Sequence, residues 1–292
     1  MLRKIFKWCG VVLAAVLVLI LVAYAGISLN LRNRMQERYA YAVAPVSIPS
    51  DSATLLRGAH LLAIKGCYEC HGTQMAGKIV ANDGMIGRIT AANLTRGKGG
   101  LPADYTSEDW FRALQHGIGK DGRPLVLMPA QETTLMSESD IAAIIAYCNR
   151  LPPVHNQLPS TRIGPAARIL AFFDKIPLLP VEKIDHLRTP DKVADTLEGI
   201  GQGKYLAASC SGCHGSDLKG GDALLPGMLP APDFSFSGNA GKWTPEQFIH
   251  TLRTGTTPSG HSMKNEDMPW QMTARYTDKE LASLYQYFRS LK

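Results

Sequence analysis

The sequence predicts an all-α protein: two copies of one helical unit behind a single N-terminal transmembrane helix. Three observations predict it. The string Cys-x-x-Cys-His occurs twice, as Cys67-Tyr-Glu-Cys70-His71 and Cys210-Ser-Gly-Cys213-His214, at an offset of 143 residues. The segments that come after each string repeat nearly in step with it, as self-similarity at a long period does in tandem units. An uncharged, apolar run from Trp8 to Leu29 follows Arg3, Lys4 and Lys7.

The apolar run is 22 residues long, enough to cross a bilayer as a helix. Ala23-Tyr-Ala25 has the small-x-small form of a cleavage site, and Val11 to Val22 would suit a secretory signal. The run continues through Ile27 and Leu29, however, and Arg32, Arg34 and Arg38 follow as an interfacial flank. Residues 1–38 are therefore expected to be an uncleaved anchor in the membrane. They carry +5 of the chain's net charge of +6. The remainder is close to neutral, which argues against nucleic acid as a partner.

Residues 39–53 read as a tether rich in Pro, Ser and Ala. The first unit, 54–152, opens with a helix from Thr54 to Lys65, on which Leu55, Leu56, Ala59, Leu62 and Ala63 share a face. The Gly-rich stretch 72–105 reads as loop. Thr106 and Thr244 are expected helix caps, with Gly117 and Gly255 as the matching C-terminal glycines. Ser137 and Thr277 cap the last helix of each unit. Residues 153–195 form a Pro-rich linker with one short helical insert around Arg168–Ile176, expected as a strut against the units. Its Phe172, Phe173 and Ile176 would also suit a membrane-interface or partner contact. The second unit is 196–292.

Cys-x-x-Cys-His is the attachment motif of c-type haem: each sulfur adds to a porphyrin vinyl group and the histidine ligates the iron. A thioredoxin-like redox pair would sit near a βαβ pattern, and neither site does. A structural zinc site needs four ligands, usually from two closely spaced pairs. The expected cofactors are thus two haem c groups, held covalently by Cys67, Cys70, Cys210 and Cys213, with His71 and His214 as proximal iron ligands. The last helix repeats at an offset of 140, which also maps Met128-Pro129 onto Met268-Pro269. Met128 and Met268 are therefore the expected axial thioether ligands. Met136 falls on Tyr276, Met263 and Met272 have no methionine partner, and these three read as packing. His60, His116, His155, His186, His250 and His261 have no histidine at the matching position and read as surface or core residues. Cys148 aligns with Phe288 and reads as a small buried hydrophobe.

The order of these features (helix, Cys-x-x-Cys-His, Met-bearing loop, final helix) resembles class I cytochrome c domains over residues 54–292. With its anchor, the chain is similar to membrane-anchored dihaem c-type cytochromes of bacteria and to the cytochrome subunits of periplasmic dehydrogenases. The resemblance implies two tandem class I domains in the periplasm, tied by one span to the bacterial inner membrane. It also implies an electron carrier without catalytic residues. A quinol-oxidising complex or dehydrogenase would be the donor, and a terminal oxidase or soluble cytochrome the acceptor. A dihaem peroxidase is the rival, but it would need an open sixth position that the repeated Met-Pro argues against. The first unit departs slightly, with Met128-Pro-Ala where the second has Met268-Pro-Trp.

Overall fold

Helix α1 covers Leu2–Gln36, running two turns past the apolar stretch. Then come α2 (Ser52–Ile64), α3 (Cys67–His71), strands β1 (Lys78–Asp83) and β2 (Gly87–Ala91), and α4 (Ser107–His116). They are followed by α5 (Ala130–Thr133), α6 (Glu138–Cys148), β3 (Arg162–Ile163) and α7 (Pro165–Phe172). The second half supplies α8 (Ile200–Ala207), α9 (Ser211–His214), α10 (Pro245–Thr254), α11 (Trp270–Thr273) and α12 (Asp278–Ser290). This computed structural model describes residues 1–43, 46–194, 196–221, 229–238 and 240–291. Ala44 and Pro45 of the expected tether and Asp195 at the end of the expected linker lie outside the described residues.

Local signals placed the helices well. Thr106, Thr244 and Thr277 each form a capping box with the residue three on, and Ser137 caps α6 through the Asp140 N–H. Gly117 and Gly255 end α4 and α10 in the left-handed conformation, at φ 67° and 71°. Asp51 caps α2, so that helix starts earlier than expected, and α7 starts at Pro165, where the ring's fixed φ suits the first turn.

In each half the first helix crosses the last at a glycine. A Cβ on Gly58 would fall 2.1 Å from the Ala143 carbonyl oxygen, and one on Gly203 would fall 2.0 Å from that of Ser283. Only glycine allows so close an approach of two backbones. Superposing these crossings places His60 on Tyr205 and Asp140 on Glu280, and the halves then exchange contacts reciprocally. Tyr205 Oη donates to Asp140 at 2.7 Å, and His60 Nε2 meets the Glu280 carboxylate at 2.9 Å. Arg57 binds Asp140 with two bonds of 2.9 and 2.7 Å and lies 3.8 Å from Glu280. The pattern is that of a two-fold, isologous interface between repeats of one chain.

Two expectations need correction. The fold is not purely helical: β1 and β2 form an antiparallel hairpin inside the stretch read as loop, and β3 joins β2 from the linker. The hairpin turns at Asp83, whose side chain accepts the N–H groups of Met85 and Ile86 at 2.8 and 2.9 Å. The tether is not a free spacer, because Val43, Val46 and Ile48 pack on the core and Tyr41 stacks on His186 at 4.0 Å. The linker packs as the expected strut, against the first half: Ala167, Ala171, Ile176, Leu178 and Leu179 share a buried cluster with Leu31 of α1 and Ile89 of β2.

Candidate haem sites

Each Cys-x-x-Cys-His string is a short helix closed by a left-handed glycine, Gly72 at φ 74° and Gly215 at φ 78°. Four residues past each histidine stands a non-glycine residue in the same left-handed region, Met75 at φ 55° and Leu218 at φ 59°. That conformation is costly for a residue with a Cβ, yet both copies keep it. Its effect is to fold the following loop back over the histidine. The Gly77 N–H donates to the His71 carbonyl at 2.9 Å and that of Gly220 to His214 at 3.0 Å. The Leu94 and Phe234 N–H groups donate to the carbonyls of Met75 and Leu218 at 2.8 and 2.9 Å.

This fold-back brings one carbonyl to each imidazole. His71 Nδ1 donates to the Ala92 carbonyl at 2.8 Å, and His214 Nδ1 to that of Pro232 at 2.9 Å. With the proton fixed on Nδ1, Nε2 is left as the bare ligating nitrogen, as an iron ligand requires. Burial pushes both imidazoles below the ordinary histidine value, against the opposing pull of the carbonyl bond. Both histidines are therefore held neutral. Burial pushes the Cys67 and Cys210 thiols up to about 12, so neither sulfur is an activated thiolate.

The methionine loops repeat as well. The Ala130 and Trp270 N–H groups turn back to the Met128 and Met268 carbonyls at 2.6 and 2.7 Å. Thr133 and Thr273 then donate to the Leu114 and Leu252 carbonyls at 2.5 and 2.8 Å, fixing α5 on α4 and α11 on α10. In the second half, His214, Cys213 and Met268 line one cavity of about 780 Å³ with Phe234, Trp243 and Leu252. In the first half, Met128 is partly buried against the core cluster that holds Trp110, and Leu94 and Leu101 pack on the same cluster.

The residues fit haem c in both halves. A mainly apolar cavity with an imidazole and a thioether on its walls suits a tetrapyrrole carrying two axial ligands. The first half offers a different observation. The indole N–H of Trp110 is buried and has no hydrogen-bond partner among the described residues, an arrangement costing about 1–3 kcal/mol. A haem propionate at His71 would be its acceptor.

Other side chains fell where the sequence could not place them. Met136 and Met272 are buried packing residues, but Met263 and His261, read as packing and surface, line the second cavity. Duplication could not find them because neither has a counterpart in the first half. His116 and His186 bond through Nδ1 atoms 3.0 Å apart, and His186 Nε2 donates to the Val181 carbonyl at 2.8 Å. His155 Nδ1 accepts the Lys98 N–H at 2.9 Å. Cys148 is buried in the core, like Phe288 in the other half.

Each attachment turn meets the other half across the interface. Met272 of α11 lies against Gly66, just before Cys67, and the Glu132 carboxylate of α5 lies against Gly212, between Cys210 and Cys213. Burial pushes Glu132 up to about 7, with Lys65 pulling the other way.

Comparison with known proteins agrees with this geometry. Residues 200–292 match the cytochrome c family, and residues 53–148 match the family of subunit III of cbb3-type cytochrome c oxidase. The chain is 24% identical over 278 residues to the cytochrome c subunit of a quinone alcohol dehydrogenase of Gluconobacter oxydans (83% of this chain, 55% of the relative). It is 24% identical over 283 residues to the fructose dehydrogenase cytochrome subunit of Gluconobacter japonicus (86% of this chain, 55% of the relative). It is 25% identical over 274 residues to the cytochrome c subunit of a quinone alcohol dehydrogenase of Gluconacetobacter polyoxogenes (83% of this chain, 57% of the relative). The chain spans about half the length of each of these relatives.

Proposed function

We propose that this chain, which carries cytochrome c domains and is homologous to the cytochrome c subunits of quinone-dependent dehydrogenases, is a dihaem electron carrier serving a membrane-bound dehydrogenase. Its two tandem class I domains stand on the periplasmic side of the bacterial inner membrane, held there by α1. One observation carries the reading. The same fold-back loop, the same Nδ1-to-carbonyl bond and the same Met-Pro turn occur in both halves, at His71/Met128 and at His214/Met268.

Haem c bound at these sites would supply reversible one-electron chemistry, with a potential raised by the thioether ligand. The chain's own residues supply the rest. Cys67, Cys70, Cys210 and Cys213 fix each group covalently. His71 and His214, with Nδ1 bonded away, would ligate the iron through Nε2, and Met128 and Met268 would supply the thioether ligands, which would leave no position for substrate. The buried clusters exclude water, which limits reorganisation when the charge changes. The reciprocal interface seats each attachment turn against the other half, which favours passage between sites within one chain. The dehydrogenase is the donor or, for electrons delivered from a quinol, the complex that oxidises it. A soluble cytochrome or terminal oxidase accepts.

The haem count tests the reading. A pyridine haemochrome assay on the purified full chain should give two haems that acid acetone does not extract, both low-spin with the near-infrared band of thioether-ligated ferric iron. One haem per chain, or a high-spin site that binds cyanide at once, would overturn it.

A further inference from the structure

The face of α1 that is withdrawn from solvent begins inside the apolar run. Tyr24, Ile27 and Ser28 are half-buried, Leu31 is buried, and Arg34 and Met35 are half-buried, all on one side at helical spacing. The rest of the span is open. Among the described elements, α7 is the principal neighbour of α1, and Leu31 shares a cluster with Ala167 and Ala171 of α7. From Tyr24 to Leu29 is about 7 Å of helix at 1.5 Å per residue. The protein body therefore covers the last turn and a half of the membrane-spanning stretch and does not stop at its end.

The other side of α7 faces outward and is apolar. Ile169, Phe172 and Phe173 are 40, 43 and 62% exposed, and the two phenyl rings stand edge to face at 5.2 Å. Lys175 is exposed next to them, and Arg168 is half-buried, its guanidinium donating to the Ile163 carbonyl at 3.1 Å. Aromatic rings with basic neighbours on an element packed against the end of an apolar span are the composition of an interfacial anchor.

We propose that α7 is a second membrane contact: Phe172, Phe173 and Ile169 enter the boundary between acyl chains and headgroups of the same phospholipid bilayer that α1 crosses. The inference rests on the reading of α1 as an anchor. Its occupant is a phospholipid bilayer and not a partner protein, because α7 packs on α1 at Leu31, just past the apolar run, and carries its exposed rings there. The contact has a consequence for the first haem site. The segment after α7 holds the methionine loop, since the Leu178 carbonyl accepts the Leu127 N–H at 2.9 Å next to Met128. Seating α7 thus fixes the first domain at the membrane surface with its methionine loop tied to the seated segment.

The test uses the full-length cytochrome in nanodiscs of phosphatidylethanolamine and phosphatidylglycerol. Photoreactive p-benzoylphenylalanine replaces Phe173, or Leu19 in the span, or Phe236 in the second half, one at a time, with the haem spectrum checked for each. Lipid adducts, read by mass spectrometry, are expected at positions 19 and 173 and not at 236. Lipid adducts at 19 with none at 173 overturn the α7 proposal and leave the anchor standing. Adducts at 173 to protein, or equal lipid adducts at 236, overturn it too. No lipid adduct at 19 overturns the anchor reading itself.

Discussion

In the first half, the loop before Met128 is held from outside: Leu127, at φ 56°, gives its N–H to the Leu178 carbonyl of the linker. In the second half, the Met268 N–H bonds to the Lys264 carbonyl of its own loop at 3.1 Å. The first half is further wrapped by α7, the three-stranded sheet and the end of α1. The second carries its cavity of about 780 Å³ with Met263, His261 and Met268 along the wall. The repeated backbone recipe sets how a histidine is presented, while non-repeated segments set how firmly the methionine loop is held. A duplicated domain can in this way carry two sites of unequal rigidity on one scaffold.

The largest expected effect tests that difference at the thioethers. Met128→Ala and Met268→Ala should each lower one midpoint potential, by on the order of 0.1 V or more, and leave the other. The two variants should differ in the spin state of the altered haem. Met128→Ala, with its loop fastened to the linker, should become high-spin and bind cyanide. Met268→Ala should stay largely low-spin, because His261 can swing from the same wall onto the iron. Redox titration with optical and EPR spectra reads both outcomes. Equal high-spin signals would break the comparison. Loss of the thioether band in Met263→Ala but not in Met268→Ala would show that the offset of 140 selected the wrong methionine.

The legibility of the molecule runs along the same division. Caps such as Thr106 and Thr244, terminal glycines such as Gly117 and Gly255, and the motif histidines were readable because each is set by neighbours within a few residues. The β2–β3 pairing of Arg88 with Arg162 was not, since its partners lie far apart in sequence and neither strand is long. The same holds for Tyr41 against His186 and for Leu178 against Leu127, contacts that turned an expected tether and linker into walls of the first half. The duplication found residues with a counterpart and was blind to those without one, His261 and Met263 above all. The crossing glycines, Gly58 and Gly203, needed the structure, because what makes them necessary is a carbonyl on another helix.

A smaller effect separates the two sides of the interface. At matching positions, α5 presents Glu132 to the second attachment turn and α11 presents Met272 to the first. Only one attachment turn therefore has a titrating neighbour at this position. The Glu132 carboxyl is raised from 4.5 to about 7, so the native state binds its proton more tightly than the unfolded chain does. Stability from this group is then greatest in acid, falls as pH rises from about 4.5 to about 7, and levels off above. Up to about 3 kcal/mol is at stake at 1.36 kcal/mol per pKa unit. Glu132→Gln should match the wild type near pH 4 and be more stable above pH 7, by denaturant midpoint in detergent. A wild-type excess above pH 7 would mean that Lys65 fully compensates the charge.

The smallest effect concerns the reciprocal contacts themselves. Tyr205 donates to Asp140 at 2.7 Å and accepts the Ser137 N–H at 3.1 Å, while its two-fold counterpart His60 meets Glu280. Tyr205→Phe removes the hydroxyl and leaves Asp140 its two bonds from Arg57, so the loss should be about 1 kcal/mol. His60→Ala leaves Glu280 the Thr277 cap and the nearby Arg57, and should cost a similar amount. What decides between two separate pairs and one joined interface is the double variant. Arg57 reaches both carboxylates, 2.7 Å from Asp140 and 3.8 Å from Glu280, and after either single change it can shift toward the carboxylate that lost its partner. After both changes it cannot serve the two at once. The double-mutant cycle should therefore show a coupling of about 0.5 kcal/mol or more, with the double variant worse than the sum. Strict additivity would mean that the two-fold contacts act independently and that Arg57 belongs to the first half alone.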